Sequence, residues 1–128
     1  VALNGQENRL LSVPSDLVFP TMPSALRRVQ DLGIETAPEE ACGILINEAG
    51  GVRVVQMLNR ADDRLNGYAI DPVTLRQLAL KPGSWKHVAI WHTHPGGMVG
   101  PSVGDLDHRI HGVEYVVVTI PSGETRWF

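Results

Sequence analysis

Apolar residues recur at helical spacing in Ala25, Leu26, Val29 and Leu32, with Thr21 or Ser24 placed to cap the start and Gly33 to stop the run. That pattern predicts a first helix of about three turns. After Pro38 the period changes. Two β-rich stretches, Ala41 to Ile46 and Val52 to Leu58, flank Asn47-Glu48-Ala49-Gly50-Gly51, a connection of hairpin length, and so predict adjacent antiparallel strands. Asn66 to Ile70 offers a further short strand. Asp71-Pro72 reads as the N-cap and first-turn proline of a helix carrying Leu75, Leu78 and Ala79, closed by Lys81-Pro82-Gly83. Downstream, Trp85 to Trp91 predicts a buried strand and Ser102 to His111 a polar helix. Val113 to Ile120 predicts an apolar strand that turns at Pro121-Ser122-Gly123 into Glu124 to Phe128. Residues 1–20, turn-rich and broken by Pro14 and Pro20, are expected to form an arm or at most an edge strand, and residues 21–128 the domain. The order is mixed α/β without an internal repeat, which predicts one sheet flanked by helices, its strand order open.

Length makes this one domain: 128 residues bury roughly two-thirds of the surface the unfolded chain exposes, so folding needs neither disulfides nor a structural metal. Any metal is then free to be functional. Lys and Arg number 11 against 14 Asp and Glu, with no basic run, which gives no footprint for nucleic acid or an anionic membrane as main partner. The single cysteine, Cys42, excludes an intrachain disulfide and any multi-cysteine zinc or iron–sulfur site. Val1 to Val13 lacks the basic start and apolar stretch of a secretory signal, and no run approaches a membrane span. A cytoplasmic location is the expectation. The oligomeric state stays open.

One stretch is unusual in composition: Trp91-His92-Thr93-His94-Pro95, then Gly96 to Pro101, then Ser102-Val103-Gly104-Asp105. Side chains two apart on a strand point to one side, so His92 and His94 can present two imidazoles to one ion while Thr93 faces away. Pro95 and the glycines after it turn the chain, and a helix starting at Ser102 can return Asp105 to the same point. Two histidines and one carboxylate are three protein ligands, the set of a catalytic zinc that keeps a fourth position for water. Such a site points to amide hydrolysis without a covalent intermediate. It needs a proton shuttle, and Glu39 and Glu40 lie upstream as candidates. Ser102 and Asp105 are also spaced as a capping box, and a rigid cap would orient the ligand.

This segment resembles the signature of the JAMM metalloproteases, also called MPN-plus or JAB-domain peptidases. That signature is an upstream glutamate, then His-Ser/Thr-His-Pro, then Ser and Asp eight and eleven positions past the second histidine. Pro38-Glu39-Glu40-Ala41-Cys42-Gly43-Ile44-Leu45 is similar to the family's Pro-x-Glu-x-Cys-Gly-hydrophobic stretch, an alignment that selects Glu40 over Glu39. The resemblance covers about residues 22–128 and implies a single JAB/MPN-type domain, a mixed curved sheet flanked by helices in a cytidine-deaminase-like architecture. It implies that His92, His94 and Asp105 bind Zn2+, that Glu40 is the general base that later protonates the leaving amine, and that Ser102 hydrogen-bonds the oxyanion. The implied substrates are proteins or peptides with extended C-terminal tails, often ubiquitin-like or sulfur-carrier proteins joined to an amine. The chain lacks the long insertions of some eukaryotic relatives, in keeping with a small prokaryotic or phage version. If it is phage-encoded, the resemblance leaves a tail-assembly role and a virion-associated location open.

Rival readings are weaker. A non-catalytic MPN-type scaffold usually lacks one or more ligands, and none is missing here. A cupin places its glutamate downstream of the histidines, the reverse of this order, and a nucleobase deaminase needs a Pro-Cys-x-x-Cys half that is absent. Cys42 reads as a small core residue rather than a nucleophile. His108, one turn after Asp105, reads as a solvated helix position, with a ligand or a partner of the ligands as the alternative. His87 and His111 are expected at the surface, and Trp85, Trp91 and Tyr115 to Val118 in the core.

Overall fold

The computed structural model describes residues 17–79 and 88–128. Its elements are β1 (Val18–Phe19), α1 (Met22–Thr36), β2 (Cys42–Glu48), β3 (Gly51–Met57), α2 (Pro72–Ala79), β4 (Val88–His94), α3 (Val103–Asp107), β5 (Glu114–Thr119) and β6 (Thr125–Trp127). The strands form one mixed sheet in the order β1-β3-β2-β4-β5-β6. Only β4 and β5 are parallel within it. A parallel pair needs a crossover, and here the crossover is the segment that carries α3.

α1 begins where Thr21 accepts a hydrogen bond from the Ser24 amide at 3.2 Å and the Ser24 hydroxyl donates to the Thr21 carbonyl at 2.8 Å. Gly33 does not end it. The helix runs on to Thr36 and Gly33 is a packing residue, since a Cβ there would lie 2.7 Å from side-chain carbons of both Ile120 and Thr93. Ala25, Val29, Leu32 and Gly33 form the buried stripe of the helix. They meet Leu45, Val54, Trp91, Val116 and Val118 on one face of the sheet. The opposite face carries Cys42, Ile44, Ile90 and Tyr115 under the connection from β3 to α2, with Tyr68 and Leu75 packed against them. Strand parity explains both lists, because neighbours on β2, β4 and β5 alternate between the two cores.

Other expectations change at their edges. The connection between β2 and β3 shrinks to Ala49-Gly50, because Glu48 pairs with Gly51. Gly51 carries the positive φ of +135°, and β1 passes so close that a Cβ there would collide with the Phe19 carbonyl. Asn66 to Ile70 is not a strand: the Gly67 carbonyl accepts from the Asn59 side chain and the Ala69 amide donates to it, while the Arg60 amide donates to the Ala69 carbonyl without extending into a ladder. The polar helix is shorter than Ser102 to His111 and stops at Asp107. Beyond it the Tyr115 hydroxyl accepts from the Ile110 amide at 2.8 Å and draws the chain out of helical geometry. Of the arm, Val18–Phe19 pairs with β3 as an edge strand. Residues 1–16 of that arm, with Lys81-Pro82-Gly83, Trp85 and His87, lie outside the described residues. Among the described residues no helix is long and apolar enough to cross a membrane.

Candidate metal centre

β4 is buried along its whole length. Trp91 and Thr93 turn toward α1, so His92 and His94 share the other face, their Nε2 atoms 3.2 Å apart. Pro95 starts the turn out of the strand, and Ser102 then caps α3. The Ser102 amide donates to Asp105 Oδ2 at 2.8 Å and the Asp105 amide donates to Ser102 Oγ at 3.0 Å, a closed capping box. That same Oδ2 lies 3.0 Å from His92 Nε2 and 3.2 Å from His94 Nε2. Cap and cluster therefore use one carboxylate: the box fixes the rotamer that aims Asp105 at the imidazoles.

Glu40 arrives through sheet register. Cys42 pairs with His92 in the antiparallel β2–β4 ladder, and the Thr93 amide donates to the Ala41 carbonyl at 3.0 Å. Two residues before Cys42 the chain lies opposite His94, and parity puts Glu40 on the histidine face. A ligand atom of Glu40 falls within 4.8 Å of those of both histidines. Glu39, one residue earlier, is exposed and paired with Arg64 at 3.1 Å. The geometry thus distinguishes two glutamates that are equivalent by position in the sequence.

Burial governs the electrostatics. It raises Glu40 to about 7, with His94 pulling down and Asp105 and Asp63 pushing further up. Burial also pushes His92 down against its hydrogen bond to Asp105, which favours the neutral ring. For His94 burial works downward too, yet the Asp105 hydrogen bond and the Glu40 charge leave its imidazole above the ordinary value. Burial would raise Asp105, but hydrogen bonds from His92 and His94 outweigh it and hold the carboxyl far below the usual carboxylate range. Cys42 is pushed up to about 12 by burial, so it stays a thiol in the core.

The donor set fits a metal ion. Atoms about 2.0–2.1 Å from a tetrahedral ion lie about 3.3 Å from one another, and the triangle of two Nε2 atoms and Oδ2 has edges of 3.0–3.2 Å. Glu40 Oε1 is buried with no hydrogen-bond partner among the described residues, as is His92 Nδ1. His108 does not join the cluster: it is exposed, its Nδ1 2.8 Å from the Gly104 carbonyl. His111 is exposed as well, whereas Trp91 and Tyr115 to Val118 are buried.

Three neighbours support the cluster, and two of them, Tyr68 and Asn59, carried no sequence signal. The Tyr68 ring stacks on His92 with centroids 4.3 Å apart and planes at 21°. Asn59 donates to the Glu40 carbonyl at 2.9 Å, and Thr93 Oγ1 accepts from the Ala41 amide at 2.9 Å. A cleft of about 470 Å³ opens beside the cluster, lined by Tyr68, Ile90, Ser102, Asp105, His108 and Tyr115 among others.

The chain is 30% identical over 115 residues to a protein of Thermus thermophilus named as a probable TtuB-protein conjugate cleaving protease, covering 88% of this chain and 72% of that one. A solution structure of a protein from Salinibacter ruber aligns over 84% of this chain and 77% of its own, with 24% identity and a TM-score of 0.46. A family model matches residues 23–128, which take in α1 from its second residue, all the strands from β2 onward and every residue of the cluster. By that match the chain belongs to the prokaryotic homologues of the JAB domain.

Proposed function

We propose that this chain is a zinc-dependent peptidase or isopeptidase that hydrolyses the bond joining the C-terminal tail of a ubiquitin-like or sulfur-carrier protein to an amine. The observation that carries the reading is the triangle of His92 Nε2, His94 Nε2 and Asp105 Oδ2 with the buried Glu40 carboxylate beside it. A relative named for cleaving protein conjugates supports a protein substrate.

In this reading His92, His94 and Asp105 hold the ion. When bound, zinc lowers the pKa of a water to about 7 and polarises a carbonyl oxygen. Glu40 takes a proton from the attacking water and later delivers it to the leaving nitrogen. Its buried carboxylate stands within reach of both histidines, where a positioned carboxylate can take and return that proton. Ser102 Oγ already accepts from the Asp105 amide, so its own hydrogen is left to donate to the developing oxyanion. Cys42, held as a thiol, takes no part.

The test is bound zinc together with cleavage of a fusion to a ubiquitin-like protein, with and without Glu40→Gln. Zinc in both proteins and cleavage only by the unmodified chain is the expected result. Equal cleavage by the two removes Glu40 as the base, and a chain that holds no metal at saturating zinc removes the metallopeptidase reading.

A further inference from the structure

We propose that Asn59 is a positioning residue for this site, bracing at once the main chain of Glu40 and the segment that lays Tyr68 on His92. Asn59 follows β3 and is 8% exposed. Its Nδ2 donates to the Glu40 carbonyl and to the Gly67 carbonyl, each at 2.9 Å. Its Oδ1 accepts from the Ala61 amide at 3.0 Å and the Ala69 amide at 3.1 Å. Two donors and two lone pairs are the full capacity of a side-chain amide, so the assignment of its nitrogen and oxygen is fixed by the partners.

Those partners belong to different parts of the chain. Glu40 precedes β2, whereas Gly67 and Ala69 flank Tyr68. In an extended segment the carbonyl of one residue and the amide two positions on point the same way, so Asn59 imitates one step of a β-ladder along residues 67–69. With the Arg60 amide donating to the Ala69 carbonyl at 2.8 Å, the segment is held there without a strand beside it, and Tyr68 is delivered onto the His92 ring, 4.3 Å between centroids.

His92 has need of such a support. A ligating histidine usually donates its second ring nitrogen to a carboxylate or carbonyl that fixes its plane, but His92 Nδ1 has no hydrogen-bond partner among the described residues. The stacked ring of Tyr68 limits its tilt instead. Asn59 therefore couples the orientation of a metal ligand to the position of the base. The inference rests on the reading of His92 as a ligand given above.

The experiment compares zinc affinity, by competition with a chelator, and the visible spectrum of the cobalt-loaded chain across variants. Asn59→Ala is expected to weaken zinc binding about 10–100-fold and to change the cobalt spectrum. Asn59→Asp, which keeps both accepted bonds and loses both donated ones, carries the same expectation should the alanine variant not fold. Val54→Ala, a cavity in the core beneath α1, should lower thermal stability and leave both metal readouts unchanged. Tyr68→Leu should reproduce the loss and Tyr68→Phe, which keeps the ring, should restore binding. Combining Asn59→Ala with Tyr68→Leu should add little to the larger single effect. Normal affinity and an unchanged spectrum in a folded Asn59 variant overturn this inference alone. An unmodified chain that binds no metal overturns it together with the metallopeptidase reading.

Discussion

Trp91 and Thr93 leave β4 on one side, His92 and His94 on the other, and the two faces of the sheet are built on different principles. Beneath α1 the contacts are hydrocarbon against hydrocarbon. Room is made by glycines: Gly33 admits Ile120, and Gly43 admits the Trp91 ring, 2.6 Å from where a Cβ would stand. One buried indole nitrogen has no hydrogen-bond partner there among the described residues. The other face encloses two imidazoles and a glutamate that are almost entirely buried, and among the described residues its polar atoms without a partner include Glu40 Oε1 and His92 Nδ1. The first face is specified by volume and the second by charge, so substitutions on the two should separate stability from chemistry.

The sharpest separation is expected from Glu40→Gln, which should lower the rate of conjugate cleavage about 10²–10⁴-fold while bound metal, measured by elemental analysis, stays the same. Leu45→Ala, on the α1 face, should do the reverse. Denaturant unfolding should show a loss of about 2–5 kcal/mol with zinc affinity unchanged.

The metal-free protein sharpens the contrast through pH. Glu40 is raised from 4.5 to about 7, so its favourable contribution is complete below about pH 4.5 and is lost as pH rises through 7. Glu40→Gln should therefore stabilise the metal-free chain at pH 8 relative to pH 5, by about 2–3 kcal/mol on the linkage relation. Asp105 works oppositely: its contribution is present above its unfolded value and disappears in acid. Thermal unfolding across pH reads both. A pH-independent difference between Glu40→Gln and the unmodified chain would contradict the assignment.

Thr93 gives the smallest effect and blurs the boundary, because it points toward α1 yet bonds the amide next to Glu40. Thr93→Val should cost about 1–2 kcal/mol by leaving the buried Ala41 amide unpaired. It should also lower kcat several-fold with KM little changed, in steady-state assays.

What could be read from the chain follows the range of the interaction. His92 and His94 share a face by spacing alone, and Ser102 and Asp105 announce a cap that also aims the carboxylate. Residue spacing could not choose between Glu39 and Glu40, because that depends on the pairing of β2 with β4, fifty residues apart in sequence. Gly33 looked like a helix stop because its reason for being glycine, Ile120 packed against it, is remote. Tyr68 and Ile70 alternate like a strand, but the partners of that segment are one amide side chain and the single backbone amide of Arg60. A lone asparagine in a connection has no period to betray it.

The β2–β4 register gives Glu40 its address by phase alone. Deleting Glu40 would leave Ala41 and every hydrophobic contact of β2 in place and present Glu39 instead. Inserting one residue between Glu40 and Cys42 would present the newcomer or Ala41. Two chains of the same outline can thus differ in whether they carry a base at all, and the spacing from Glu40 to Cys42 is what an engineer should preserve first.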